Sequence, residues 1–233
     1  MELLRFFILL LLVSPALVAS GFSQTPVDSD FQFWNDNTFV VPLISSPADG
    51  NKKTDKFSLL ILQTNRVGTN GLHAADERLG LGFDLFVNKH LSISPTYVFR
   101  AAHALPRHWQ YEHRLRLDAT LSKDWASVGV KNRNRVERLI RNSRSDLTRY
   151  RNRTTVRFPL NPESKHRVDA FGMVEPNYEF TRGIWTVLDI GGGITTKLAA
   201  KLSTDIYFIH RGPLKDHVPH INAIGFNLKL SLD

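Results

Sequence analysis

The stretch from Arg107 to Asn161 reads RHWQYEHRLRLDATLSKDWASVGVKNRNRVERLIRNSRSDLTRYRNRTTVRFPLN. Charged or polar residues occupy every second position in three runs within it. These residues are Glu112, Arg114, Arg116, Asp118 and Thr120, then Lys131, Arg133, Arg135 and Glu137, then Arg149, Arg151, Arg153, Thr155 and Arg157. Successive side chains of a β-strand point to opposite faces, so a period of two indicates strands. The stretch therefore predicts a meander of three strands with one charged face.

The composition limits the class of protein. The chain has 233 residues, a length that suits one large all-β domain or two small ones. Its formal net charge is +8 and its sequence pI is about 9.9, which favours anionic partners. The chain contains no cysteine, which excludes a disulfide framework and a thiolate metal site.

The N-terminus has the pattern of a secretory signal peptide. The apolar run FFILLLLV, Phe6 to Val13, is followed by small residues that offer cleavage after Ser20 or Ser23. A membrane anchor is the alternative, but the run is shorter than the roughly 20 residues that a spanning helix needs. We expect a signal peptide at residues 1–23 and a single barrel domain at residues 24–233.

Alternation of apolar and polar residues continues through most of the remaining chain. About eleven strands of roughly ten residues or more are predicted, with short turns at one end and longer loops at the other. This pattern predicts an all-β fold, a single antiparallel up-and-down transmembrane β-barrel of 10–12 strands. Bacterial single-chain barrels have an even strand number. We therefore expect either that one long run bends into two strands or that the first run lies outside the wall.

Alternation does not say which face of the strands points inward. A soluble barrel places its apolar face inside, whereas a membrane barrel places it outside, against lipid. The length of the strands and the dense charge of the polar face favour the membrane barrel, and a secreted soluble β-protein with a basic surface is the alternative. Aromatic residues near predicted strand ends suit the headgroup level of a membrane. They are Trp34, Trp109, Tyr111, Trp125, Tyr178 and Trp185.

Several short motifs resemble a known family. They are Gln32-x-Trp34-Asn35, Glu112-x-Arg114-x-Arg116, Arg133-x-Arg135-x-Glu137, Arg149-x-Arg151 with Arg153, and Glu175-Pro176-x-Tyr178. The chain is similar in these motifs to the bacterial domain-of-unknown-function family numbered twenty-four ninety, whose members are taken to be uncharacterised outer-membrane β-barrel proteins. The resemblance implies a barrel in the bacterial outer membrane and carries no established activity.

The charged strands provide the candidate site. We expect a narrow or plugged barrel with a basic, ion-paired lumen, because small barrels fill their interior with side chains. Such a lumen would act in binding or passage of small anionic solutes. The candidate lumen-lining residues are Glu112, Arg114, Arg116, Asp118, Lys131, Arg133, Arg135, Glu137, Arg149, Arg151, Arg153 and Arg157. The expected partners are outer-membrane lipid and lipopolysaccharide, the barrel-assembly machinery and small anions, whereas export argues against nucleic acid.

Other chemistry is weakly supported by the sequence. His217 and His220, with His210 upstream, make a poor metal site because no carboxylates cluster beside them. The run Gly191-Gly192-Gly193 lacks the Lys-Ser/Thr of a phosphate loop and is better explained as a bend in the wall. We expect neither a metal nor another cofactor.

An enzyme that acts on outer-membrane lipid is an alternative function. Ser122 and Ser203 have histidines elsewhere in the chain, but no spacing joins serine, histidine and carboxylate, and the Gly-x-Ser-x-Gly elbow is absent. We therefore predict no catalytic residues. A structural or adhesive barrel that works through its longer loops, around residues 67–77 and 212–219, is the third alternative.

Overall fold

The computed structural model describes residues 29–47, 53–68, 73–105, 108–161, 167–215 and 220–232. All of its regular elements are β-strands, of 12 to 19 residues each. None of the residues so described forms a helix with the length and apolar character needed to cross a membrane. The strands are β1 Ser29–Pro47, β2 Lys53–Gly68, β3 His73–Phe86, β4 Leu91–Leu105, β5 His108–Asp124, β6 Gly129–Arg141, β7 Leu147–Pro159, β8 Val168–Glu179, β9 Ile184–Ala199, β10 Leu202–Pro213 and β11 His220–Ser231.

The eleven strands form one closed barrel. Each strand pairs antiparallel with its neighbour in sequence, and β1 closes the wall by pairing in parallel with β11. The closing register runs from Ser29 opposite His220 to Val40 opposite Ser231. The predicted barrel of 10–12 strands is confirmed, but the expectation of an even, wholly antiparallel strand set is wrong. No run is split into two strands and β1 lies within the wall, because a parallel closing pair allows an odd number.

The ends of the barrel are named by the strand that begins or ends there. The N-terminal mouth is where β1 begins, and the C-terminal mouth is where β11 ends. The predicted segregation of short turns and long loops is wrong. The strands that meet at the N-terminal mouth are separated in sequence by residues 69–72, 106–107, 142–146, 180–183 and 214–219, and those that meet at the C-terminal mouth by 48–52, 87–90, 125–128, 160–167 and 200–201. Both mouths therefore carry connections of mixed length.

Most of the large apolar side chains of the strands point away from the barrel axis. Leu115 and Leu117 on β5 are 52% and 53% exposed, although both lie in the middle of a paired strand. Their neighbours in sequence, Arg114 and Asp118, are only 4% and 6% exposed. In a closed barrel the enclosed side chains face inward, so the charged face of β5 lines the lumen and the leucines form the outer surface.

The lumen also contains an apolar cluster. It consists of Trp34, Met173, Tyr207, Ile209 and Ala223, from strands β1, β8, β10 and β11. Trp34 was expected at the membrane interface, but its side chain is 4% exposed and points inward, so that expectation is wrong.

The three-glycine run of β9 borders this cluster. A β-carbon built on Gly193 would lie 2.6 Å from the Cα of Tyr207 on β10, so close approach of two strands is what requires glycine there. The predicted signal peptide, residues 1–23, lies outside the described residues.

Candidate functional site

Glu137 is a fully buried carboxylate on β6 surrounded by arginines. Arg116 on β5 and Arg149 on β7 are its direct cross-strand neighbours. The Arg149 Nε donates to Glu137 Oε2 at 2.5 Å, and Arg116 Nε lies 2.8 Å from Oε1. Arg135 Nη1 is 3.6 Å away from the same oxygen. The period-two charge pattern thus places three guanidinium groups around one carboxylate.

Glu175 on β8 is the second fully buried carboxylate of this kind. Its Oε2 accepts hydrogen bonds from Arg133 Nη2 at 2.7 Å and from Arg153 Nε at 2.5 Å, and its Oε1 accepts one from Arg151 Nη2. Arg133 belongs to β6, which is not a neighbour of β8. The side chain therefore reaches past β7 on the concave face of the barrel wall.

Two bidentate pairs extend the network. Arg135 donates through Nε and Nη2 to both oxygens of Asp118, each at 2.6 Å. Arg211 on β10 donates in the same way to Asp189 on β9, at 2.7 and 2.8 Å. Bidentate pairs fix the geometry of both side chains, and charged groups out of water require such partners. We call the middle of the lumen, where these ion pairs, the arginine sets around Glu137 and Glu175, and the apolar cluster lie, the waist of the barrel.

A cavity of about 390 Å³ lies above this waist at the N-terminal mouth, and we call it the vestibule. Ten arginines line it, against three carboxylates, Asp76, Glu112 and Glu179. The arginines come from seven different strands and from the connections 142–146 and 180–183, so the positive charge surrounds the cavity. The excess of cationic side chains makes the vestibule attractive to anions.

Glu112 organises one wall of the vestibule. Its Oε2 accepts two hydrogen bonds from Arg114, through Nε at 3.0 Å and Nη2 at 2.8 Å. Its Oε1 accepts one from Arg100 at 3.0 Å and one from Arg144 at 3.2 Å. On β2 the Arg66 guanidinium stacks 3.7 Å from the centroid of the Trp34 ring. Each guanidinium is held in place, and its unused N–H groups can serve a ligand.

Ten of the twelve predicted lumen residues lie within this charged interior. The other two, Lys131 and Arg157, share the same face of β6 and β7 but lie toward the C-terminal mouth, where Lys131 is exposed and Arg157 pairs with Asp124, Nη2 to Oδ1 at 3.0 Å. The sequence analysis missed several residues that line the vestibule or bind its arginines. These residues are Arg66, Asp76, Arg78, Arg100, Arg141, Arg144, Glu175, Glu179, Arg182, Asp189 and Arg211.

The alternative sites are placed as follows. The rings of His210 and His220 lie 5.5 Å apart, and His217 is outside the described residues. Within the described ranges, no group of three histidine or carboxylate side chains could hold a metal ion. Nδ1 of His90 lies 2.9 Å from the main-chain oxygen of Ser122, so this contact joins two turns and does not involve the hydroxyl.

Comparison with known proteins identifies the family. Residues 31–212 match the model of a protein family of unknown function, DUF2490, and the chain belongs to this family. This confirms the resemblance found in the sequence motifs. No match is found among curated proteins.

Among solved structures, the chain is similar to an anion-selective porin from Comamonas acidovorans, with 12% identity and a TM-score of 0.34. The match covers 78% of this chain and 59% of the porin, so the chain spans well under two thirds of that protein's length.

Proposed function

We propose that the protein is an outer-membrane β-barrel whose narrow, basic lumen binds or passes small anionic solutes. The observation that carries the proposal is the arginine-lined vestibule inside a barrel whose apolar side chains point outward. The same barrel would present its outer surface to membrane lipid and lipopolysaccharide, and it would depend on the barrel-assembly machinery for insertion.

The outer surface supports a membrane location. Large apolar side chains are exposed on most strands, an arrangement that would be unfavourable in water but suits hydrocarbon. Aromatic rings cluster on the outer surface near the N-terminal mouth, where Tyr178 packs edge-on against both Phe180 and Trp185. Such rings are typical of the interface between hydrocarbon and headgroups. Strands of 12 or more residues exceed the roughly 9–11 that crossing a bilayer requires.

The charge of the vestibule supports anions over cations. Rings of arginine and lysine favour anions in pores, as rings of carboxylates favour cations. The vestibule has ten arginines and three carboxylates, and each of these carboxylates is already paired with arginine. Because side chains fill the waist, any conductance through the barrel should be small.

The proposal is tested by reconstituting the mature chain into planar bilayers and measuring the reversal potential across a potassium chloride gradient. We expect a small conductance that favours chloride. Arg144 and Arg182 have vestibule-facing side chains that are 58% and 57% exposed, so we choose the double glutamate variant. Glu112 keeps its bonds from Arg100 and Arg114 when Arg144 is changed to glutamate. The double variant should lose most of the anion preference.

The matched control is Arg138→Glu. Arg138 lies on β6 near the same mouth, but it alternates with the lumen-facing residues, and it pairs with the exposed Asp146 at 3.0 Å. This control should keep the selectivity of the native chain. Cation preference in the native chain, or equal selectivity in the double variant and the control, would refute the role of the vestibule. Recovery of the exported chain as a soluble protein would refute the membrane location.

A further inference from the structure

We propose that the vestibule is a binding site for one compact oxyanion that carries at least two negative charges, of the chemical class of a phosphate or a pyrophosphate. The inference rests on the proposed function for the preference for anions, and it adds the ligand class and the place of binding. Three features of the vestibule carry it: unpartnered donors, the surplus of charge and the closed floor.

The first feature is a set of buried N–H groups without partners. Arg114 is 4% exposed and uses Nε and Nη2 for Glu112, which leaves its buried Nη1 without a hydrogen-bond partner among the described residues. The buried Nε atoms of Arg66, Arg141 and Arg151 are in the same condition, and all four side chains line the vestibule. Buried donors of this kind are rare because leaving them unsatisfied is costly.

The geometry of these donors selects oxygen atoms. A guanidinium presents its five N–H groups in a rigid plane that matches two oxygens of a phosphate or carboxylate. Ten guanidinium groups line this one cavity, so several of them can approach different oxygens of a tetrahedral anion. A chloride ion has a single centre and offers no such directional match, so the site should discriminate between the two kinds of anion.

The second feature is the amount of uncompensated charge. Three carboxylates line the vestibule with its ten arginines, and Glu137, Glu175 and Asp189 beneath it pair with three of those arginines. A surplus of four positive charges remains, most of which a monovalent anion would leave unneutralised. Electrostatic attraction grows with the charge of the ligand, and it is strong where water is largely excluded. A multivalent oxyanion therefore gains more from this site than a halide does.

The third feature is the closed floor of the cavity. Below the vestibule, Glu137 and Glu175 are fully buried, with Arg149 packed against the first and three arginines packed against the second. A ligand that enters from the N-terminal mouth is therefore retained in about 390 Å³, a volume suited to a small molecule. The lining arginines face the lumen, inside the wall. We therefore expect a soluble phosphate compound as the ligand and not the headgroup of a lipid held against the outer surface.

The experiment uses the mature chain, folded in an uncharged detergent, and isothermal titration calorimetry with pyrophosphate at pH 8 and constant ionic strength. We expect saturable binding of one pyrophosphate per chain, at least about tenfold tighter than chloride measured by competition. Replacement of Arg114 with glutamine removes one charge-assisted donor and should weaken binding by about tenfold. Phosphatidate dispersed in the same detergent should not compete.

The control variant is Arg167→Gln, which removes an arginine at the C-terminal mouth that pairs with Asp169 at 2.8 Å. It should change the affinity for pyrophosphate less than twofold. If Arg114→Gln does not fold, Arg141→Gln provides the second variant, because Arg141 lies at the rim and also has an unpartnered N–H group, at Nε.

Equal affinity for chloride and pyrophosphate, or unchanged affinity in a folded vestibule variant, would overturn the inference. Competition by phosphatidate would also overturn it, in favour of a lipid ligand. The two proposals fail separately. Anion-selective conductance without pyrophosphate binding would remove only the ligand class, whereas a cation-selective barrel would remove both.

Discussion

The two sides of the lumen close the same waist with different chemistry. Strands β5 to β8 contribute buried carboxylates, each surrounded by arginines, with Glu137 and Glu175 at the centres. Strands β1, β10 and β11 contribute apolar packing, in which Ile209 and Ala223 are 1% and 0% exposed. Trp34 joins the apolar side to the vestibule, because its ring is buried in the apolar cluster and also stacks against the vestibule arginine Arg66.

The comparison shows how each side should respond to change. A buried charge is tolerated only while its partners are present, so removing one member of a charged set leaves the others uncompensated. Apolar packing loses stability roughly in proportion to the volume that is removed. The charged side should therefore fail abruptly and the apolar side gradually.

The largest effect is expected for Glu175→Gln. The substitution keeps the shape of the side chain but leaves Arg133, Arg151 and Arg153 without their shared carboxylate. Breaking a buried ion pair in this way destabilises proteins by several kcal/mol, so we expect a loss of about 4 kcal/mol in the free energy of unfolding. Urea titration of the folded barrel in detergent measures it.

The control for this prediction is Asp146→Asn. Asp146 pairs with Arg138 on the surface, where both side chains are more than a third exposed, and such pairs contribute about 0–1 kcal/mol. Similar losses for the two variants would show that the buried charges do not act as a set.

The second prediction concerns Ile209→Ala on the apolar side. Ile209 packs with Trp34 and Met173 in the cluster, and truncation of such a residue leaves a cavity. We expect a loss of about 3 kcal/mol by the same urea titration. Ile206→Ala, on the same strand but 47% exposed on the outer surface, is the control and should lose clearly less. An equal loss at both positions would contradict the inward packing of Ile209.

Much of the fold was predictable because alternation depends on neighbouring residues. Arg114 and Leu115 lie one position apart and face opposite sides of the wall, as the period of two required. The closure was not predictable, because the pairing of β1 with β11 joins the two ends of the described chain and depends on the register of every intervening pair. The inward direction of Trp34 was missed because the residue was assigned to the membrane interface as an aromatic near a strand end. Whether its position in the alternation of β1 faces inward or outward was not considered.

The site was predictable only where its charges form runs. The charged face can be recognised within a single strand from Arg133, Arg135 and Glu137, which alternate along it. No such run surrounds Arg66 or Arg211, whose strands are otherwise largely apolar. These two arginines share the inward parity of Asp76 and Asp189, their neighbours across the ladder. Their parity could have indicated the vestibule, but only once the register between strands was known.

The smallest of the three effects on stability is expected for Gly225→Ala, where the apolar side is already full. Gly225 lies between Trp34 and Tyr207 in the ladder, and a β-carbon built on it would overlap the Tyr207 ring. Overpacking of this kind costs about 2 kcal/mol, again measured by urea titration.

Gly172→Ala is the control, because a β-carbon there meets nothing within 4 Å, and it should leave stability unchanged or slightly higher. If the overlap with the ring is the cause, Gly225→Ala should cost much less in a Tyr207→Ala background, since the two changes then share one contact. Full additivity of the two losses would place the cause in the backbone of β11 and not in the packing of the lumen.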